Sequence, residues 1–317
     1  MFEYLVKRLL LIPVTLLGIF TITFGLLYIV PGDPVATIMG EKTDVETREA
    51  IRKELNLDKP KLVQYGMYLG QVSRGDLGKS FITKRSVNEA IMDAFPHTVA
   101  LAVLSVIIMT IIGIPIGIIS AIKQRSLLDR VVMIGAIGGV SAPNFWVGMI
   151  VLYVFIYNLR LFPMNPLETI SMGWGPYLGY LLLPAAVLGV RGVAIVARLT
   201  RSTLLEVVRQ DYIRMARAKG LSERVVILKH ALRNALIPVI TYVGMDLAFL
   251  MGGAVVTETV FSWPGLGRLA VQALRQKDIP MVLGTVLFTS AVIVVANLLT
   301  DMSYAAVDPR VKLGKSS

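Results

Sequence analysis

The sequence predicts an all-α membrane protein of six transmembrane helices, with a long extracytoplasmic segment after the first and a long cytoplasmic loop between the fourth and fifth. Three observations lead there. Of 317 residues, 55% are hydrophobic and only 17% are charged, against about 25% charged in ordinary soluble domains. The mean hydropathy is +0.69. Charge is also kept out of six runs, residues 9–30, 98–122, 131–157, 177–197, 236–257 and 279–300, which together hold only Arg191 and Asp246. About 20 apolar residues cross the hydrocarbon core, and a soluble core helix does not exclude charge over such lengths six times. Disorder and an ordinary cytosolic enzyme both fit poorly.

The first run follows Lys7 and Arg8, as a secretion signal would. Its length and its exit into Pro31-Gly32-Asp33-Pro34, with no small-residue cleavage pattern, predict a retained span instead. Residues 1–30 are thus a short cytoplasmic end plus the first span, 31–97 an extracytoplasmic helical segment, 98–300 the transmembrane core and 301–317 a cytoplasmic tail. Six spans place both termini on one side. With the termini inside, the inner segments carry 17 Lys and Arg, and the short outer loops 158–176 and 258–278 carry 4, so the positive-inside rule puts the termini in the cytoplasm. The net charge of +11 then reads as an insertion signal and not as a nucleic-acid surface.

Segment 31–97 mixes ten acidic with ten basic residues and carries helix punctuation. Asp44 is placed to cap a helix running to about Leu55. Ser86 and Glu89 form a capping-box pattern ahead of Val87, Ile91 and Phe95, with a stop at Pro96 and a helix on the membrane surface leading into the second span. Gly78-Lys79-Ser80 looks like the end of a phosphate-binding loop, but the required glycine five residues earlier is Ser73, so no nucleotide site is read there.

Within the spans, Gly113 and Gly117, and Gly135 and Gly139, have the spacing that lets helices approach closely. Arg191 costs about 2.5–3.5 kcal/mol at a helix centre, which the Leu, Ile and Val of 177–197 offset; it can also snorkel toward the inner end. Asp246, midway through the fifth span, either lines a path or meets a structural partner such as Arg191. There is no cysteine, which removes disulfides and thiolate chemistry. His97 and His230 read as isolated polar residues, and no catalytic residue is assigned.

Loop 198–235 has nine basic and three acidic residues in a helix–break–helix pattern: Thr200 to Lys219, then Gly220 suited to a left-handed turn, then a second helix capped by Ser222 with Val225, Leu228, Leu232 and Leu236 on one face. Near the break, Met215, Ala216, Ala218 and Gly220 lie between Arg214, Arg217 and Lys219, a small-residue knob that fits a groove on another protein. A DNA-reading helix-turn-helix shares these parts but is tethered between two spans. Contact with anionic lipid accounts for the charge but not for the ordered break.

Asp211-Tyr212-Ile213-Arg214-Met215-Ala216-Arg217-Ala218-Lys219-Gly220-Leu221-Ser222-Glu223 and Leu232-Arg233-Asn234-Ala235-Leu236-Ile237-Pro238 resemble the cytoplasmic loop of ABC-importer permeases of the dipeptide, oligopeptide and nickel branch. The basic start with Pro31-Gly32-Asp33-Pro34, Ser141-Ala142-Pro143-Asn144-Phe145-Trp146, and Glu258-Thr259-Val260-Phe261-Ser262-Trp263-Pro264-Gly265-Leu266-Gly267-Arg268 resemble its first-type (B) subunit. Ala216 and Gly220 match the second Ala and the Gly of the wider Glu-Ala-Ala…Gly pattern, while Arg214 and Met215 replace its Glu and first Ala.

The resemblance implies a permease subunit for peptides in a bacterial or archaeal plasma membrane. Its partners would be a second permease, two ATPase subunits, an extracytoplasmic substrate-binding protein and membrane lipid. ATP and Mg would be held by the ATPases, with no cofactor on this chain. Asp211, Tyr212, Arg214, Met215, Ala216, Ala218, Gly220 and Leu221 would dock on an ATPase. Asp246 together with Glu258, Phe261 and Trp263, from a structured outer loop at 258–277, would line the path or meet what is delivered to it. Nickel or another small solute is the alternative cargo. A secondary transporter would be expected to show several intramembrane carboxylates or inverted repeats, and only Asp246 fits.

Overall fold

The computed structural model describes residues 2–29, 35, 45–162, 166, 168 and 172–307. Pro31-Gly32-Asp33-Pro34, the Asp44 cap and the tail beyond 307 lie outside them. The described residues are helical throughout, apart from loops and an isolated bridge between Lys79 and Ser86. In chain order the helices are α1 (Phe2–Ile29), α2 (Val45–Glu54), α3 (Lys61–Val72), α4 (Val87–Ile122), α5 (Leu127–Ser141), α6 (Asn144–Leu152), α7 (Trp174–Val207), α8 (Asp211–Ala218), α9 (Glu223–Ala235), α10 (Ile237–Met251), α11 (Val255–Val260), α12 (Leu266–Arg275) and α13 (Ile279–Val307). Four of them are long and apolar enough to cross a membrane. The count rises to six if α5 with α6 and its continuation, bent by 96°, and α9 with α10, bent by 49°, each form one span.

Helices α4 and α7 form the central pair. Their seam reads Ser105 and Ile108 at Gly189, Met109 at Gly192, Val196 at Gly113, and Ala197 and Thr200 at Gly117. Residue numbers rise together on both sides, so the two helices run parallel. A β-carbon at Gly117 would stand 2.6 Å from the Ala197 carbonyl oxygen, so only glycine lets the backbones meet there. Gly113 and Gly117 therefore have the close packing that their spacing predicts. Gly135 does not: nothing lies within 4 Å of a β-carbon built there.

Several predicted boundaries moved for physical reasons. Pro96 does not stop a helix, because α4 runs through it from Val87 to Ile122. Val87, Ile91 and Ala94 are packed against Leu266, Ala273, Met281 and Val282, and this burial holds the first turns in line despite the missing N–H. The segment before the second span is therefore part of that span's helix and not a separate surface helix. Ser86 occupies the N-cap position without a side-chain cap hydrogen bond, and Glu89 instead lies 3.5 Å from Arg85, so the capping box does not form. The third predicted span breaks at Ala142, which is extended (ψ 128°) ahead of Pro143, as a residue before proline prefers. The predicted helix Thr200–Lys219 is two helices, α7 ending at Val207 and α8 starting at Asp211.

The outer segment is docked and not a tail. Phe20 and Phe24 of α1 pack with Leu283 and Leu287 of α13, joined by Tyr65 and Tyr68 of α3. The Tyr68 hydroxyl donates to the Leu77 and Pro280 carbonyls at 2.8 and 3.1 Å. Asp278, just before α13, accepts from the Ser80 hydroxyl and from Phe81 N at 3.0 Å. The end of the molecule bearing this segment is termed outer and the opposite end, bearing α8, inner.

Candidate functional site

At the inner end, α8 packs on the ends of α4 and α7. Ile213 and Ala216 enter an apolar cluster with Ala121, Leu204, Val226, Ile227, Ala231 and Ala235. The side facing away presents Tyr212, Met215 and Leu221, with Met215 63% exposed, and Val225 and Leu228 of α9 extend this apolar patch. The predicted core face of the second loop helix is off by one position: Val226, Ile227, Ala231 and Ala235 are buried, and Val225 and Leu228 are exposed. A π-helical stretch, Val226–Ala231, interrupts the regular period and sets the buried Val226 and Ala231 five residues apart. Gly220 has φ +78°, the left-handed turn that its position predicts.

Polar ties make this inner unit stiff. Arg217 grips Glu223 with two hydrogen bonds at 3.1 and 2.7 Å, closing the turn between α8 and α9. Asn234 donates to the Tyr212 hydroxyl at 2.8 Å, and Thr203 of α7 donates to the Ala235 carbonyl at 2.8 Å. Of the predicted docking residues, Asp211, Tyr212, Arg214, Met215, Ala218, Gly220 and Leu221 are exposed. Ala216 is only 8% exposed: its small side chain lets α8 sit close to α7 and α9, and it does not project as part of a knob.

Beside this unit lies a clamp not anticipated from the sequence. Asp129, at the start of α5, accepts from Arg201 of α7 in a bidentate pair at 2.6 and 2.8 Å, from Ser120 of α4 at 2.5 Å and from Arg125 N at 2.9 Å. Ser126 caps α5 by accepting from Asp129 N at 3.2 Å. The Ser-x-x-Asp spacing was the available signal.

At mid-length, the break at Ala142–Pro143 opens a cavity of about 840 Å³ between α5, α6, α7 and α10. Arg191, Tyr242 and Asp246 line it together with Asn144. Tyr242 hydrogen-bonds the Asp246 carboxylate, and the Arg191 charge acts on it. Arg191 therefore faces the cavity.

At the outer end, the loop from Glu258 is a packed elbow. Trp263 (0% exposed) and Phe261 join Tyr177, Tyr180 and Leu181 in one apolar cluster. Trp263 Nε1 donates to the His97 carbonyl at 2.9 Å, and the Tyr180 hydroxyl donates to the Phe261 carbonyl at 2.8 Å. Glu258 (0% exposed) accepts from Thr98 Oγ1 at 2.9 Å and from Arg268 N at 3.1 Å, so its carboxylate closes the N-terminus of α12. A β-carbon at Gly265 would fall 2.5 Å from that carboxyl, which explains the Pro-Gly-Leu-Gly run. Burial outweighs these donors and pushes the Glu258 carboxyl above the usual glutamate range. Glu258, Phe261 and Trp263 thus hold the elbow together and do not line an open path, because each is sealed beneath neighbouring helices.

Residues 113–313 match the family described as binding-protein-dependent transport system inner membrane component. Residues 1–102 match the corresponding N-terminal family. The chain is 39% identical to the dipeptide transport system permease protein DppB of Alkalihalophilus pseudofirmus, over 98% of this chain and 100% of that one. It is 39% identical to the oligopeptide transport system permease protein AppB of Bacillus subtilis, over 98% and 100%, and 39% identical to the glutathione transport system permease protein GsiC of Pectobacterium atrosepticum, over 98% and 99%. Among solved structures, a chain of the inward-facing MetNI methionine ABC transporter shares the fold, with a TM-score of 0.56 and 20% identity over 69% of this chain and 96% of that one.

Proposed function

The chain belongs to the binding-protein-dependent transport system inner membrane component family, and from that premise we propose that it is the permease subunit of an ATP-driven ABC importer of peptides. It works beside a second, non-identical permease, above two ATPases that hold ATP and Mg, and below an extracytoplasmic binding protein, with lipid around it. Dipeptides and short oligopeptides are the cargo, in keeping with the similarity to the dipeptide and oligopeptide permeases; a nickel complex is the competing cargo.

The observation that carries the reading is α8: one side is fixed to the ends of the long parallel helices and the other leaves Tyr212, Met215 and Leu221 open. A helix held this way passes on displacement, since the packed unit has little freedom to absorb it. Closure of the ATPases beneath α8 would shift α4 and α7 together, and coupling follows because both ends bias one element. Parallel α4 and α7 require an odd number of crossings between them, which supports one span for α5 with α6; with one more span at α10 the total is six, and the Lys and Arg of the inner segments favour both termini in the cytoplasm.

The test uses the absence of native cysteine. Met215→Cys should crosslink to an ATPase subunit in native membranes, and Met215→Glu should lower peptide uptake and ATPase association together. Uptake that persists with the ATPases inactivated would point to a secondary carrier.

A further inference from the structure

The cavity at the broken third span carries opposite charges on two of its walls, Arg191 from α7 and Asp246 from α10. Among the described residues, neither takes part in an ion pair within 4.0 Å, although the Arg191 charge acts on Asp246 and Tyr242 hydrogen-bonds it. Ionisable groups at this depth are costly and face a path or one another. Here they do the first without closing into the second.

Two further observations concern the space between them. The unwound backbone at Ser141, Ala142 and Pro143 forms part of the wall, and non-helical backbone at membrane depth is tolerated where it lines protein or water. The volume, about 840 Å³, falls within the roughly 300–1,000 Å³ of small-molecule sites. Phe249, 71% exposed, stands on the cavity wall.

We propose that this cavity is a transit site for zwitterions, in which Asp246 receives the terminal ammonium group of a short peptide and Arg191 its terminal carboxylate. The proposal rests on the peptide-importer reading above and adds the chemistry that selects the cargo inside the membrane. A lone cation would be attracted by one wall and repelled by the other, and so would a lone anion. A zwitterion with free termini is attracted by both. The attraction between Arg191 and Asp246 is lost as the peptide enters, which keeps binding weak, as transit requires.

The test uses the intact importer, purified with its companion subunits. A single Phe249→Cys variant is labelled with N-ethylmaleimide in the presence of dialanine, N-acetyl-dialanine or dialanine amide. Dialanine should slow labelling at concentrations about tenfold lower than either blocked peptide, the equivalent of one charge-assisted hydrogen bond. Asp246→Asn should abolish the preference over N-acetyl-dialanine only, Arg191→Gln the preference over the amide only, and Asp246→Glu should keep both. Equal protection by all three peptides, or none, in an importer that still takes up dialanine with ATP would overturn the zwitterion site and leave the importer reading standing. Failure of the unaltered importer to take up any peptide would overturn the importer reading itself.

Discussion

Replacing Asp129 with alanine should loosen the inner end of the molecule in a local and measurable way. The carboxylate accepts four hydrogen bonds, two of them from Arg201, and its side chain is 5% exposed against 21% for Arg201. Breaking a buried pair by removing one partner costs about 3–5 kcal/mol, and losing one hydrogen bond to a charged group about 1.5–3 kcal/mol. Arg201 keeps some access to water, so about 3 kcal/mol is expected, where the two ranges meet. At 1.4 kcal/mol per factor of ten, this is roughly a hundredfold. Hydrogen exchange at the amides of residues 123–130, which include Arg125 N and Asp129 N, should accelerate by that factor. A double variant, Asp129→Leu with Arg201→Met, should recover part of the loss, because no buried charge is left alone. Acceleration below about threefold, the equivalent of the average interhelical hydrogen bond of about 0.6 kcal/mol in a membrane, together with no recovery in the double variant, would refute the claim that this clamp ties α5 to α7.

Three other outcomes are expected. Trp263→Ala should destabilise the outer elbow by about 3–5 kcal/mol, leave the His97 carbonyl without its donor, and lower the melting temperature in detergent while ATPase association persists. Gly117→Leu should part α4 from α7 and reduce the folded yield, since overpacking costs about 1–3 kcal/mol or more, whereas Gly135→Leu, facing open space, should be tolerated; equal yields would contradict the seam. Because the Glu258 carboxyl is raised in the fold, the protonated form is favoured there. The elbow should be most stable below about pH 4.3 and lose stability as pH rises from that unfolded value through the folded one; Glu258→Gln should flatten this slope in melts across that window.

Composition and charge spacing made the apolar helices legible, because excluding charge from a long run is a one-dimensional property of the chain. The left-handed turn at Gly220 and the Gly113–Gly117 contact were legible for the same reason, each being set by residue type at fixed spacing. What could not be read depends on neighbours far along the chain. Pro96 carries a helix-breaking signal, and packing against residues 266–282 overrides it. The π-helical stretch at 226–231 spaces the buried Val226 and Ala231 five residues apart, and helical periodicity contains no sign of it. Exposed aromatics and a sealed aromatic core look alike in sequence, so the burial of Phe261 and Trp263 in the elbow is not legible there. The place of Ala216 in the cluster beneath α8 is likewise not announced by its size or by its position in the loop pattern.

With backbones touching from Ser105–Gly189 to Gly117–Thr200, α4 and α7 have no slack to slide or splay against each other. The pair therefore behaves as a single crowbar, and any opening must be made along its flank, where the crowbar meets a different body. The flank carrying Arg191 is the one that looks across the cavity at the kinked helix.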